Sequence, residues 1–177
     1  MKLKLLSACV LVGMAFASQQ AFASDGLISV TGTIQASTCT SIAGTSGTNV
    51  DVTLPVVAAS ALASSGQTAG TTPFQIALSG CPTTGSAHAF FEPGSTTTDM
   101  TTGNLKNTGL ATNVQVQLLN DDLSVIRVNQ PDLSQNSLPV SLATGSATLK
   151  YRAQYYATGT AVAGSVNSSV YYTIVYN

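Results

Sequence analysis

The chain has 177 residues, of which 44% are hydrophobic and only 7% are charged, and its formal net charge is −1. This length suits a single domain with a substantial hydrophobic core. Because acidic residues outnumber basic ones, the chain lacks the positive surface that binding to nucleic acid requires, and we predict no nucleic-acid partner.

The first residues have the parts of a secretory signal peptide. A basic start, MKLK, precedes an apolar run at residues 5–17, and an Ala-Phe-Ala sequence ending at Ala23 supplies small residues for cleavage. The run is shorter than the roughly 20 residues that a membrane-spanning helix needs. We predict that residues 1–23 are removed on export, with cleavage after Ala17 as an alternative. A lipoprotein motif at residues 6–9 is disfavoured because the apolar stretch before it is too short.

The mature chain keeps two cysteines, Cys39 and Cys81, in an oxidising compartment. We predict one disulfide between them, with two unpaired buried thiols as the alternative. For a closed loop of about 43 residues, the chain-entropy relation gives a stabilisation of about 4 kcal/mol. Two cysteines and a single histidine, His88, do not make a recognisable set of metal ligands, so neither a metal nor another cofactor is predicted.

The mature surface is expected to be nearly neutral. Four basic and seven acidic residues remain after residue 23, a formal charge of −3, so Ser, Thr, Asn, Gln and Gly must cover most of the surface. A neutral surface of this kind suits close packing against copies of the same chain.

Apolar and polar residues alternate between turn-rich gaps, which predicts an all-β chain. Strands are expected at residues 50–54, 74–78, 87–91, 114–118, 149–156 and 170–176, and only residues 56–62 suit a short helical turn. Alternation in residues 114–118 also predicts that Gln115 and Gln117 face water, whereas Val116 between them faces the core. Seven or so short strands with a disulfide between them indicate an immunoglobulin-like sandwich.

Catalytic residues are not recognisable in the sequence. His88 occupies a polar position of a predicted strand without a nucleophile or acid beside it, which favours a solvated or hydrogen-bonded histidine. Asp121 and Asp122 follow a strand and predict a turn rather than an acid–base pair. We therefore predict that the protein is not an enzyme.

The segment GLISVTGTIQASTC, residues 26–39, alternates like a strand but has no hairpin partner in the sequence. Only residues 35–38 separate its last apolar residue from Cys39, and they span roughly 14 Å at full stretch. Folding back into its own sandwich is therefore awkward, and pairing with another molecule is easier.

Four features in this order resemble the major subunits of chaperone-usher pili, such as type 1 fimbriae. The first is the N-terminal extension, with a glycine seven residues before Cys39 and apolar residues around it: Ile28, Val30, Gly32 and Ile34. The second is the pair of cysteines about 40 residues apart, and the third is the pair of segments 111–118 and 151–159. The last is the tail, with Gly164 fourteenth from the end and Tyr176 penultimate.

The resemblance implies an incomplete immunoglobulin-like β-sandwich that is completed by a donor strand from a neighbouring subunit. Residues 1–23 would be the signal peptide, residues 24–38 the donor extension and residues 39–177 the pilin domain. An apolar groove would lie beside the C-terminal strand, and the groove-facing and chaperone-facing residues would be Gly164, Val170, Tyr172, Ile174 and Tyr176.

The implied function is that of a structural shaft subunit in a fimbrium on the cell surface, which supports cell adhesion. The implied partners are identical or related pilin subunits, a periplasmic chaperone and an outer-membrane usher. The alternative is a minor adaptor or a receptor-contacting subunit of the same kind of fibre.

Overall fold

The computed structural model describes residues 38–45 and 47–177, so the predicted signal peptide and nearly all of the N-terminal extension lie outside the described residues. The described part is all-β, with two short 3-10 helices at Ala59–Leu62 and Asp132–Ser134. The strands are β1 (Ser41–Ala43), β2 (Thr68–Ser79), β3 (Ser86–Phe91), β4 (Leu105–Lys106), β5 (Thr112–Asn120), β6 (Val125–Ile126), β7 (Val140–Ser141), β8 (Ser146–Val162) and β9 (Tyr172–Tyr176).

The strands form two antiparallel sheets, as the sequence predicted for an immunoglobulin-like sandwich. The larger sheet has the order β1-β2-β8-β5-β4, with β6 also paired to β5, and the smaller has the order β7-β3-β9. The long strands β2 and β8 pair along almost their whole length, from Thr68 opposite Tyr156 to Ser79 opposite Ser146.

The core lies between the two sheets and follows the predicted alternation. Apolar side chains of the larger sheet, such as Ile76 and Leu149, are at most 1% exposed. They share one core cluster with Ala87, Ala89 and Phe91 of β3. Burying these side chains contributes roughly 1.5 to 3 kcal/mol for each large one.

The two ends of the sandwich differ. At one end, which we call the disulfide end, β2 finishes at Ser79 and the Cys39–Cys81 disulfide follows, as the cysteine count predicted. At the other end, which we call the far end, a second apolar cluster forms around Leu62, Val114 and Ala157. β2 and β5 both begin at the far end and run in the same direction, because both are antiparallel to β8. β2 reaches the disulfide end, whereas β5 stops at Asn120, opposite Tyr151.

Two predictions from alternation were wrong in detail. Residues 50–54 are extended and alternate between half-buried and exposed, but they are not a strand, because the described residues offer them no partner. Gln115 and Gln117 are 9% and 8% exposed rather than solvated. The loop before β4 covers them, and the Asn104 side chain donates to Gln115 Oε1 at 3.2 Å.

Candidate functional site: an open groove

A long open groove runs along the edge of the sandwich and has a volume of about 1180 Å³. One wall is β9 with the segment before it, and the opposite wall is residues 48–54. The floor is apolar and comes from both sheets; it includes Phe74, Ile76, Phe91, Leu105, Val116 and Leu118. The groove reaches Cys39 at the disulfide end and Leu54 and Val166 toward the far end.

Both walls have unpaired backbone edges within the described part of the chain. β9 pairs with β3 on one side and is the last strand of its sheet on the other. In the opposite wall, Val50, Val52 and Leu54 pack against the core while their backbone pairs with no described strand. Adjacent strands lie about 4.8 Å apart, and an apolar cleft between two free edges is a template for adding a strand.

In the smaller sheet the free edge is confined to β9, because side chains cap the other edge of β3. β7 pairs only with Ser86 and Ala87, and beyond it the Ala89 N–H donates to the Tyr151 hydroxyl at 3.0 Å. The Gln135 amide continues this role, since its Oε1 accepts from the Phe91 N–H at 3.1 Å and its Nε2 donates to the Phe91 carbonyl at 2.6 Å. These side chains take the place of a neighbouring strand.

The Tyr151 ring also packs against two aromatic side chains of the groove floor. Its ring lies 5.6 Å from that of Phe74 and 5.3 Å from that of Phe91, the latter edge-to-face. Burial raises the pKa of Tyr151, although hydrogen bonds with Ser137 and the Ala89 amide oppose the shift. The hydroxyl therefore stays protonated and fixed between the sheets, and the two floor rings keep their positions.

Two tyrosine hydroxyls connect the walls of the groove. Tyr172 donates to the Thr48 carbonyl at 2.5 Å, across from β9 to the opposite wall. Burial raises the pKa of Tyr172, so the hydroxyl keeps its proton. At the disulfide end, the Tyr176 hydroxyl accepts from the Cys39 N–H at 3.3 Å. These bonds join the two walls across the space where a strand would enter.

The structure brings most of the predicted C-terminal residues to this groove. The side chains of Val170, Tyr172, Ile174 and Tyr176 all line it, as does Cys39 of the disulfide. The predicted donor residues Ile28, Val30, Gly32 and Ile34 lie outside the described residues.

Gly164 is not among the residues that line the groove, and its predicted contact with a chaperone stays a prediction. It lies before β9 and packs against the backbone of Leu110 and Ala111, where an added methyl group would overlap main-chain atoms. The structure thus gives this glycine a packing role at the far end rather than a place on the groove wall. The sequence analysis also missed the wall at residues 48–54 and the Tyr172–Thr48 bond, although alternation at Val50, Val52 and Leu54 was the available signal.

The polar residues considered for catalysis have structural roles. His88 is 4% exposed rather than solvated; it bonds Asp132 at 2.8 Å and the Asn177 side chain at 3.2 Å. Hydrogen bonds from the Ser124 hydroxyl and N–H lower the pKa of Asp122, and they close the turn that the sequence predicted. Among residues 38–45 and 47–177, no three His, Cys, Asp or Glu side chains converge as metal ligands, and no helix is long and apolar enough to cross a membrane.

Comparison with known proteins agrees with this geometry. The family "Type-1 fimbrial protein, A" matches residues 54–177. The chain belongs to this family. This fimbrial subunit is 46% identical to the F17 fimbrial protein of Escherichia coli, over 92% of this chain and 93% of that protein. It is 45% identical to the major fimbrial subunit SMF-1 of Stenotrophomonas maltophilia, over 93% of this chain and 99% of that protein.

The fold matches that of pilus subunits. A chain from the structure of a chaperone-usher pilus superposes with a TM-score of 0.59 at 15% identity, over 87% of this chain and 96% of that chain. This likeness supports the incomplete immunoglobulin-like sandwich. As a member of its family, the protein is a component of surface fimbriae that assembles with other pilin subunits.

Proposed function

We propose that the protein is the shaft subunit of a chaperone-usher fimbria and polymerises by donor-strand exchange. Residues 24–38 of one copy enter the groove of the next copy and pair with the free edge of β9. The single observation that carries this proposal is the apolar groove between two unpaired backbone edges. The resulting fibre supports cell adhesion at the cell surface.

The extension has the pattern that such a groove requires. Ile28, Val30 and Ile34 alternate with polar residues, so one face of an added strand is apolar. Burying each of these side chains contributes roughly 1.5 to 3 kcal/mol, and each main-chain hydrogen bond about 0.5 to 1.5 kcal/mol net. Gly32 would face the shallowest part of the groove, where a larger side chain would clash.

A groove of this size cannot remain in water without risk of aggregation. We infer that a periplasmic chaperone fills it first and that an outer-membrane usher then exchanges the chaperone strand for the extension of the next subunit. Because the inserted strand completes the core of a domain, its release requires partial unfolding, and the fibre should persist for kinetic reasons.

The shaft role is favoured over a minor adaptor or a receptor-contacting role by the likeness to a relative named as a major subunit, at 45% identity over nearly its full length. Counting copies of this chain in each fibre distinguishes the two roles. A shaft subunit is present in many copies, whereas an adaptor is present in one or a few.

The test of strand exchange is the double substitution Ile28→Asp with Val30→Asp. These changes place charges in the apolar groove and should abolish the detergent-resistant ladder that fibres give on an unboiled denaturing gel, while chaperone binding persists. The matched control is Ser29→Asp with Thr31→Asp, which adds the same charges to the opposite face of the strand and should leave the ladder intact. Normal ladders from the first variant would refute the proposal.

A further inference from the structure

A row of hydrogen-bonded side chains crosses the larger sheet on the face opposite to the groove floor. It joins β2, β8, β5 and the loop before β4, and each member bonds the next. We call it the amide row, and its members in order are Thr71, Gln154, Gln117, Asn104, Gln115 and Asp99.

The first bonds of the amide row all run in one direction. The Thr71 hydroxyl donates to Gln154 Oε1 at 2.7 Å. Gln154 Nε2 donates to Gln117 Oε1 at 2.9 Å, and Gln117 Nε2 donates to Asn104 Oδ1 at 3.3 Å. Each amide therefore accepts with its oxygen on one side and donates with its nitrogen on the other.

The amide row ends on a carboxylate. Asn104 Nδ2 donates to Gln115 Oε1, and Gln115 Nε2 donates to Asp99 Oδ2 at 2.7 Å. An ionised carboxylate only accepts hydrogen bonds, whereas an amide group can be turned over to exchange its donor and acceptor. No amide of the row can turn over alone without bringing two N–H groups or two oxygens together, so Asp99 sets the direction of the whole row.

The amide row lies directly behind the groove floor. Gln154 and Gln117 are each 8% exposed and Asn104 is 2% exposed. Because successive side chains of a strand point to opposite faces, the sequence neighbours of these amides point into the groove. Those neighbours are Ala153, Tyr155, Val116, Leu118 and Leu105.

The amide row distinguishes registers that apolar alternation does not. Gln117 lies opposite Gln154 in the pairing of β5 with β8. A slip of one residue would turn the apolar side chains away from the core, but a slip of two residues would keep them there. A two-residue slip would place Gln117 opposite Arg152 or Tyr156 and break the row. The row thus holds the floor strands in one register.

Backbone groups of its own loop fix the Asp99 carboxylate. Its Oδ1 accepts from the Thr101 N–H at 2.8 Å and from the Thr102 N–H at 3.2 Å. The Thr101 N–H is the main reason that the pKa of Asp99 lies below its usual value of 3.8; burial opposes this shift, and Thr102, Gln115 and Lys106 add to it.

The other charged and titratable groups near the carboxylate come from three neighbouring elements. Lys106 belongs to β4 and attracts the Asp99 charge. Arg127 follows β6, and its backbone lies beside Gly103 of the same loop as Asp99. Tyr156 belongs to β8 and lies opposite Gln115.

We propose that Asp99 is an acid-sensitive latch that holds the amide row, and with it the register of the groove floor, in one arrangement. A proton on Oδ2 would face the Gln115 N–H, so Gln115 must turn over and every further amide must turn over with it. The row can reverse as a unit because it ends at the Thr71 hydroxyl, which can accept as well as donate. This latch goes beyond strand exchange and does not depend on it.

The sign of the pH dependence follows from the lowered pKa. The contribution of Asp99 to stability is complete above its usual value of 3.8 and is lost as pH falls through the lower value of the folded subunit. The latch is therefore closed at neutral pH and opens in strong acid.

The test is a pH titration of the side-chain amide signals in solid-state NMR spectra of fimbriae assembled from the full-length, nitrogen-15-labelled chain. We expect the signals of Gln115, Asn104, Gln117 and Gln154 to move together, with one shared midpoint below 3.8. Movement of Gln115 alone, separate midpoints or no movement would overturn the proposal, and wild-type fimbriae suffice for this result.

Two variants assign the shared midpoint to its carboxylate. Asp99→Asn should abolish it. Asp122→Asn is the matched control, because the pKa of Asp122 is also lowered but Asp122 bonds Ser124 and is not a member of the amide row. Loss of the shared midpoint in Asp122→Asn, or its persistence in Asp99→Asn, would contradict the assignment to Asp99.

A second measurement follows the fibre rather than the amides. The unboiled gel ladder of each variant is timed as it disappears at about pH 2 and at about pH 7, and the ratio of the two rates is compared. Asp99→Asn should lower this ratio about twofold or more, because the variant has no carboxylate left to protonate at this position. Asp122→Asn should keep the wild-type ratio, and a wild-type ratio in Asp99→Asn would contradict the latch.

Discussion

Removing a single hydroxyl from the core should measurably destabilise the subunit and loosen the groove floor. Tyr151 is 1% exposed, and its hydroxyl is the only hydrogen-bond partner that the described structure gives the Ala89 N–H. In Tyr151→Phe the ring contacts with Phe74 and Phe91 remain, but the Ala89 N–H stays buried without a partner. Such a group costs about 1 to 3 kcal/mol.

The assay is urea unfolding of the subunit bound to a synthetic peptide of residues 24–38. With a denaturant slope of about 1.5 kcal/mol/M, a loss of about 2 kcal/mol lowers the unfolding midpoint by about 1.3 M. Ser137→Ala is the matched control, because it removes the other partner of the hydroxyl, 3.0 Å away, and leaves the Ala89 bond in place. We expect it to cost less, about 0.5 to 1.5 kcal/mol.

The comparison of Tyr151→Phe with Ser137→Ala tests whether the Tyr151 hydroxyl replaces a neighbouring strand at the edge of β3. If Tyr151→Phe unfolds at the wild-type midpoint, or is more stable than Ser137→Ala, then the tyrosine does not replace a strand at the edge of β3.

Other predictions concern the far end, the groove walls and pH. Gly164→Ala should lower stability by about 1 to 3 kcal/mol by overlapping the Ala111 backbone, and the chaperone affinity of the folded fraction should stay unchanged in a pull-down titration. Tyr172→Phe should accelerate capture of the peptide by about two- to tenfold in stopped-flow fluorescence, because it removes a bond to Thr48 worth about 0.5 to 1.5 kcal/mol; slower capture would contradict this. Because burial raises the pKa of Tyr151 above its usual value of 10.0, its contribution is complete below that pH and is lost as pH rises above it, so alkaline unfolding should be less steep in Tyr151→Phe.

The long strands were predictable because their alternation reports burial directly. The segments predicted at residues 74–78, 114–118 and 149–156 lie within β2, β5 and β8, and that at residues 87–91 lies within β3. The disulfide was equally predictable from the sequence, because the two cysteines of an exported chain can form only one pair.

Residues 50–54 show that alternation predicts which side chains are buried but not whether a segment pairs as a strand. Their alternating burial was predicted, yet whether an extended segment becomes a strand depends on a partner far away in sequence or on another chain. The prediction that Gln115 and Gln117 face water was wrong for a related reason. The loop that contains Asn104 covers both side chains, and alternation within a strand carries no information about such a loop. Gly164 was assigned to the groove because its distance from the C-terminus resembles the family pattern. In the structure it packs against the backbone of Ala111.

The position of the free edge follows from how the other edges are protected. β3 is capped by Tyr151 and Gln135, and β4 and β6 are only two residues long, as is usual for edges that avoid unwanted pairing. β9, by contrast, offers five residues beside an apolar groove. An open edge beside an apolar groove is selective, because only a strand with apolar residues at every second position fills the groove and pairs with β9 at once. The segment that begins at Gly26 has this pattern.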